Sequence, residues 1–241
     1  MRVAIVSDIH SNLAAFRAVL EHARDVDALW ALGDIVGYGP QPNECIELLR
    51  AHEHFAVAGN HDLAACGKMG VEEFNDAAAS AARWTAGQLS GESLAYLRDL
   101  PPVVTDGDFT MVHGSLRWPE WEYLLSSEQA RAQFELQATL YSLVGHSHLP
   151  FVSREESSIP PALIPAEDCA STTLTAQRLI INPGSVGQPR DGDPRAGYAL
   201  YDSSAGTVTH YRVEYDIAST QQAMESAKLS PWLIERLAYG R

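Results

Sequence analysis

Five short polar clusters in this chain combine carboxylate and imidazole side chains: Ser7-Asp8-Ile9-His10, Gly33-Asp34, Gly59-Asn60-His61-Asp62, His113-Gly114 and Gly145-His146-Ser147-His148. Carboxylate oxygens and imidazole nitrogens are the donors that first-row divalent cations such as Mn, Fe, Co, Ni and Zn accept, and the lack of thiolates argues against a structural zinc. Asp8 and His10 stand two residues apart, so a strand end or the turn after it can aim both at one ion. His146 and His148 repeat that separation and can share one ion or divide between two. Seven candidates, Asp8, His10, Asp34, Asn60, His113, His146 and His148, exceed what a single ion needs and suit two ions sharing a bridging carboxylate. Two-metal hydrolases hold their ions roughly 3.5–4 Å apart, generate hydroxide near neutral pH and clamp both oxygens of an in-line displacement.

Such a set converges only if the elements before it are aligned. Each cluster follows an apolar, strand-like run: Val3–Val6, Leu29–Leu32, Phe55–Ala58, Phe109–Val112 and Ser142–Val144. In α/β sheets ligands bind beyond the carboxyl ends of the strands, so five polar strand ends can meet at one place. Helical spacing over Leu13–Ala23 and Asn43–Ala51 separates strands at Arg2–Ser7, Ala28–Leu32 and Phe55–Ala58, which implies right-handed crossovers and a parallel arrangement there. Two helices are expected between Val71 and Leu100, stopped by Pro101-Pro102. Strands are expected at Phe109–Val112, Ser142–Val144, Pro150–Ser153, Arg178–Ile181, Ala199–Tyr201 and Val208–Val213, with antiparallel pairing because the connections shorten. A last helix, Ile217–Ala238, is interrupted near Pro231. Residues 155–171, with Pro160, Pro161 and Pro165, read as a long loop, a surface insertion before a lid. No repeat or linker divides the chain, so residues 1–241 read as one domain carrying that insertion.

The clusters differ in weight. An Asp-x-His pair alone is weak, and Gly-Asp is a common turn. His52-Glu53-His54 is a control within the chain: it precedes its strand, at a helix C-terminus, where histidine complements the dipole. His22 and His210 read as surface residues. Asp62 reads as the N-cap of a helix starting near Leu63. Asn182-Pro183-Gly184-Ser185 reads as a tight turn near a sheet edge, explained by backbone geometry. Trp118 and Trp121 read either as an apolar wall for a leaving group or as core.

Taken in order, the five clusters resemble the calcineurin-like metallophosphoesterases, from the first residues through Gly187. Gly33-Asp-Ile-Val-Gly-Tyr-Gly-Pro40 and Asn182-Pro-Gly-Ser-Val-Gly-Gln-Pro-Arg190 resemble the small bacterial and archaeal branch. The resemblance implies an α/β fold, a four-layer α-β-β-α sandwich with two mixed sheets. It implies two divalent metal ions, manganese before Fe, Ni, Co or Zn, with Asp8, His10 and His148 on one, Asn60, His113 and His146 on the other, and Asp34 bridging. The implied reaction is attack of a metal-bridging hydroxide on a phosphate mono- or diester or a nucleotide anhydride. His61 would stand above the metals, protonating the leaving oxygen or stabilising the transition state. Keeping this histidine leaves monoesters open. Protein serine/threonine phosphatases carry a further Asp and Arg where this chain has Val36-Gly37-Tyr38, so that class is disfavoured. Arg117 and Arg190 are the candidate contacts to substrate phosphate.

Bulk properties narrow the partners. The 241 residues carry a formal net charge of -14 with no basic run, unlike proteins that grip a nucleic-acid backbone. A small phosphorylated substrate, possibly a nucleotide, is expected before nucleic acid. A nuclease is the first alternative and a protein-binding scaffold the last, since no expected ligand is eroded. Cys45, Cys66 and Cys169 show no C-x-x-C spacing, and no signal or membrane-spanning run is visible. A soluble, cytoplasmic enzyme without a membrane partner is the expectation.

Overall fold

The computed structural model describes residues 1–156 and 159–241. Numbered along the chain, its first elements are β1 (Arg2–Val6), α1 (Leu13–Ala23), β2 (Ala28–Ala31), α2 (Pro42–Arg50), β3 (His54–Ala56), α3 (Asn60–Ala65), α4 (Asp76–Gln88) and α5 (Gly91–Asp99). There follow β4 (Val103–Asp106), β5 (Phe109–Val112), α6 (Ser127–Leu136), β6 (Tyr141–Leu143), β7 (Phe151–Arg154), β8 (Ile164–Pro165), β9 (Ser171–Thr173) and β10 (Leu179–Asn182). The chain closes with β11 (Ala196–Asp202), β12 (Thr207–Val213), α7 (Ile217–Ser226), α8 (Pro231–Arg236) and a 3₁₀ turn, Leu237–Tyr239. Local chemistry explains the boundaries. Asn12 caps α1 by accepting from Ala15 N at 3.2 Å, and Leu13, Phe16 and Val19 then form its buried stripe. Pro42 opens α2, where its missing N–H costs nothing.

The strands form two six-stranded mixed sheets, ordered β3-β2-β1-β11-β12-β9 and β4-β5-β6-β10-β7-β8. Side-chain alternation sorts them into layers. Ala4 and Val6 of β1 pack outward with Phe16 and Val19 of α1 and Ile46 and Leu49 of α2, while Val3 and Ile5 turn inward. There they meet Met111, Leu143 and Ile181 of the second sheet, together with Trp30 and Phe109. On the far face of that sheet Val112, Val144 and Ile180 pack against Ala130 and Phe134 of α6. The order helix, sheet, sheet, helix is the expected α/β sandwich.

Some expectations are corrected. β5, β6 and β10 are parallel neighbours although antiparallel pairing was expected here. The reason is α6, unforeseen in the sequence, which serves as the crossover between β5 and β6. The expected loop at 155–171 holds β8, paired to β7 through Val152↔Ile164, and its last residue, Ser171, opens β9. It carries the chain from one sheet to the other. Its residues Ser157 and Ser158 lie outside the described ones. Asn182 ends β10, an interior strand rather than a sheet edge. The C-terminal helix breaks over 227–230, ahead of Pro231, with Lys228 at φ 57°.

Candidate metal centre

The carboxyl ends of β1, β2, β3, β5 and β6 open onto one crevice, and the backbone there is unusual. Among the described residues ten non-glycine positions have positive φ, and seven of them, Asp8, His10, Ser11, Asp34, Tyr38, His146 and His148, stand in these turns. Left-handed backbone outside glycine costs on the order of 1 kcal/mol or more, so the surrounding structure must impose it. It does so by zipping the loops together: Asp8 N donates to Gly33 O at 3.1 Å, His10 N to Asp34 O at 2.9 Å and Ser11 N to Ile35 O at 3.0 Å. Gly59 is required by close approach, because a Cβ there would lie 2.2 Å from Asp34 Oδ1.

The histidines are oriented from behind. His10 Nδ1 donates to Val36 O at 3.1 Å, His113 Nδ1 to Leu32 O at 2.7 Å, His146 Nε2 to Trp121 O at 3.0 Å and His148 Nδ1 to Gln188 O at 2.5 Å. A neutral imidazole has one proton, so the opposite nitrogens point inward as lone pairs. Those nitrogens face one another: His10 Nε2 is 3.2 Å from His148 Nε2, and His113 Nε2 is 3.1 Å from His146 Nδ1. Asp34 Oδ2 lies between the pairs, 3.7 Å from His10 Nε2 and 3.4 Å from His113 Nε2. Asp8 Oδ1 is 3.2 Å from His148 Nε2, fully buried, and accepts no hydrogen bond. Asn60 Oδ1 stands 3.2 Å from His113 Nε2. Acceptors packed this closely repel unless positive charge sits among them, so the donor set fits divalent cations. Asp8, His10 and His148 form one group able to hold an ion, and Asp34, His113 and His146 another. His61 also comes within reach of an ion beside His10 and Asp34, closer than the sequence reading placed it.

Electrostatics point the same way. Burial opposes charge on Asp8, yet His148, His113 and the Ser7 hydroxyl hold its carboxyl far below the usual range. Burial likewise opposes charge on Asp34, and His113, His61 and His10 overcome it. Although burial disfavours its cation, His113 is raised to about 9 by Asp34 and Asp8, so with no ion bound its Nε2 carries a proton at the place where a divalent cation would displace it and free the lone pair. Burial pushes His10 and His148 down, His61 to about 4 and His146 to about 3, keeping these rings neutral and able to donate lone pairs. Asp62 is raised to about 7 by burial and by Asp34. It is the third helical residue, not the N-cap: α3 starts at Asn60, and Asp62 accepts from Gly59 N at 3.1 Å and Val36 N at 3.0 Å.

Beside these groups lies a cleft of about 220 Å³ lined by Asp34, His61, Trp121, Tyr123, His146 and Arg190, among others. Arg190 donates to Gln188 Oε1 at 3.1 Å, its buried Nε has no partner, and no carboxylate pairs with it among the described residues. Arg117 is not brought to the cleft; its guanidinium pairs with Glu122. The sequence reading missed three supports. Ser185 Oγ donates to Asp8 O at 2.9 Å, Asn182 Nδ2 to Gly145 O at 2.8 Å, and Gln188 supplies the carbonyl that orients His148. Asn182 and Ser185 therefore act through side chains, beyond the turn geometry expected of them; their joint nearness to Arg190 was the available signal. His210 is a correction as well: it is buried in β12 and bonds Asn182 O at 2.9 Å, linking the sheets. Trp118 is exposed, while Trp121 lines the cleft.

Residues 1–206 match the calcineurin-like phosphoesterase superfamily domain. An uncharacterized protein of Methanocaldococcus jannaschii is 38% identical over 99% of this chain and 98% of its own length. A symmetrical bis(5'-nucleosyl)-tetraphosphatase of Neisseria gonorrhoeae is 29% identical over 63% of this chain and 53% of its own length, so the match spans about half of that enzyme. The crystal structure of a metallophosphoesterase from Sphaerobacter thermophilus, 48% identical, superposes with a TM-score of 0.91 over 100% of this chain and 99% of that one.

Proposed function

The chain belongs to the calcineurin-like phosphoesterase superfamily, and from that premise we propose that it hydrolyses a small phosphorylated substrate at a centre of two divalent cations. The substrate is a phosphate mono- or diester or a nucleotide anhydride, the last supported by the likeness to tetraphosphatases. Asp8, His10 and His148 hold one cation, Asn60, His113 and His146 the other, and Asp34 serves both. The observation that carries this is the double set of facing imidazole lone pairs around the Asp34 carboxylate. When bound, the cations supply the charge that acidifies water and draws electron density from the phosphoryl oxygens.

The chain's own groups do the rest. The backbone carbonyls behind the histidines fix ring planes and tautomers, so the centre needs little reorganisation. Arg190, a cation that pairs with no carboxylate among the described residues, takes a non-bridging phosphoryl oxygen. His61 lines the cleft and, as a neutral ring, donates a hydrogen bond from its N–H to the departing oxygen as negative charge develops there. Manganese leads the candidates because oxygen and imidazole donors mix here, and Fe, Ni, Co and Zn accept the same set. The free thiols and the absence of any helix long and apolar enough to cross a membrane, among the described residues, go with a cytoplasmic setting. Metal-stripped protein assayed with added Mn, Ni or Co against para-nitrophenyl phosphate and bis-para-nitrophenyl phosphate tests the reading. Metal-restored hydrolysis supports it, and the preferred ester separates monoesterase from diesterase. Two bound ions with no cleavage of either ester, or of a dinucleoside polyphosphate, would count against it.

A further inference from the structure

A second cavity adjoins the cleft and shares two walls with it. It has a volume of about 630 Å³ and is lined by Met69, Gly70, Glu72, Glu73, Trp118, Glu120 and Trp121; Glu73 and Trp121 also line the cleft. Aromatic contacts tie it to the His61 side of the cleft. The Phe74 ring meets His61 edge-on at 5.0 Å between centroids and meets Trp121 at 5.1 Å. Phe74 thus stands between His61, which serves the departing oxygen, and Trp121, a wall that the cleft and the cavity share. Arg190, which serves the phosphoryl group, lines the cleft but not the cavity.

The walls are chemically one-sided. Trp118 leaves 63% of its surface exposed, yet its turn is rigid: Ser115 Oγ accepts from Arg117 N and Trp118 N at 3.1 Å each, and Trp118 O accepts from Trp121 N and Glu122 N at 3.2 Å each. An indole held out to solvent by a fixed turn is a preformed face for a ligand. Glu72, Glu73 and Glu120 stand around it, and none has an ion-pair partner among the described residues; the nearby Arg117 is taken by Glu122. Tryptophan faces and unpaired carboxylates attract the same kind of group, an organic cation, and repel a second phosphate or a carboxylate.

We propose that this cavity receives the leaving group, and that the leaving group is an alcohol bearing an ammonium group. The proposal rests on the phosphoesterase reading. The P–O bond to that alcohol breaks, a water oxygen forms the new P–O bond, and the bonding pair departs with the alcohol oxygen, which takes up a proton. The ammonium group itself is unchanged and lies against Trp118, within the field of the three carboxylates.

Two matched pairs of probes test this on the full-length protein. Choline and its neutral carbon isostere 3,3-dimethylbutanol are compared for binding to metal-free protein by tryptophan fluorescence. Phosphocholine and 3,3-dimethylbutyl phosphate are compared for turnover in manganese. The cation is expected to win by about tenfold in both, a difference that shrinks with added salt and falls towards parity in Trp118→Ala and in Glu73→Gln/Glu120→Gln. Parity in the wild-type protein, or better turnover of AMP than of phosphocholine, overturns the assignment and leaves the phosphoesterase reading standing. Choline selectivity in a protein that cleaves no phosphate ester with any cation overturns the phosphoesterase reading and with it the leaving-group role.

Discussion

Imidazole nitrogens facing each other at 3.1 and 3.2 Å make Asp34 the pivot of the centre, since its Oδ2 approaches both pairs. Asp34→Asn is therefore expected to lose both ions together and to lower kcat/KM by roughly 10²–10³-fold or more, read by elemental analysis and steady-state kinetics. His61→Ala should keep its metal while turnover of an alkyl phosphate falls by about 10²–10⁴-fold and that of para-nitrophenyl phosphate, with its better leaving group, falls less. Metal loss in this variant would move His61 into the ligand set, where its reach towards His10 and Asp34 would allow it to serve. The candidate ligands were legible in the sequence because each is part of a short motif at a strand end. Ser185 and Asn182 were not. Ser185 meets Asp8 across 177 positions and Asn182 meets Gly145 across 37, and such ties exist only after the sheets assemble.

Elements set the tolerance of this geometry. Gly59, before α3, leaves no room for a Cβ beside Asp34, so Gly59→Ala should cost about 1–3 kcal/mol of stability and weaken metal binding. Gly87, in α4, has nothing within 4 Å, and Gly87→Ala should stabilise by about 0.5–1 kcal/mol. Chemical denaturation of both variants checks the contrast. His210 ties β12 to β10, and burial lowers it to about 4. Because its folded pKa lies below the unfolded value of about 6.5, its contribution is complete above that value and declines as pH falls towards 4. The wild type should lose about 2 kcal/mol from this group between pH 7 and 5, and His210→Gln should show a flatter stability profile over that range. Helix α1 was legible to the residue from its apolar spacing, as was β5 from its apolar run. β8 and β9 were not, being two and three residues long and partly exposed. α6 was hidden by its polar composition, since only Ala130, Gln133 and Phe134 are buried.

At the scale of the molecule, the layering followed from the family resemblance more than from local pattern. Alternation tells which residues face inward but not which strands are neighbours, and β1 pairs with β11, Arg2 opposite Asp202. The proposed centre joins the two sheets, with candidate ligands following β1, β2 and β3 of one and β5 and β6 of the other, so bound ions should also hold the sheets together. Each ion present at a hundredfold excess over its dissociation constant stabilises the native state by about 2.7 kcal/mol. Chelation should accordingly lower the melting temperature by about 10–20 °C, and adding back manganese should restore it. The net charge of -14 favours uptake of cations over nucleic acid, and plasmid nicking should stay absent in clean protein. The measurement that bears most directly on the whole account is the number of manganese ions held per chain after equilibrium dialysis of metal-stripped protein. Two ions per chain in the wild type, with both lost in Asp34→Asn, is the expected result; no ion, or a single ion unaffected by that substitution, would contradict it.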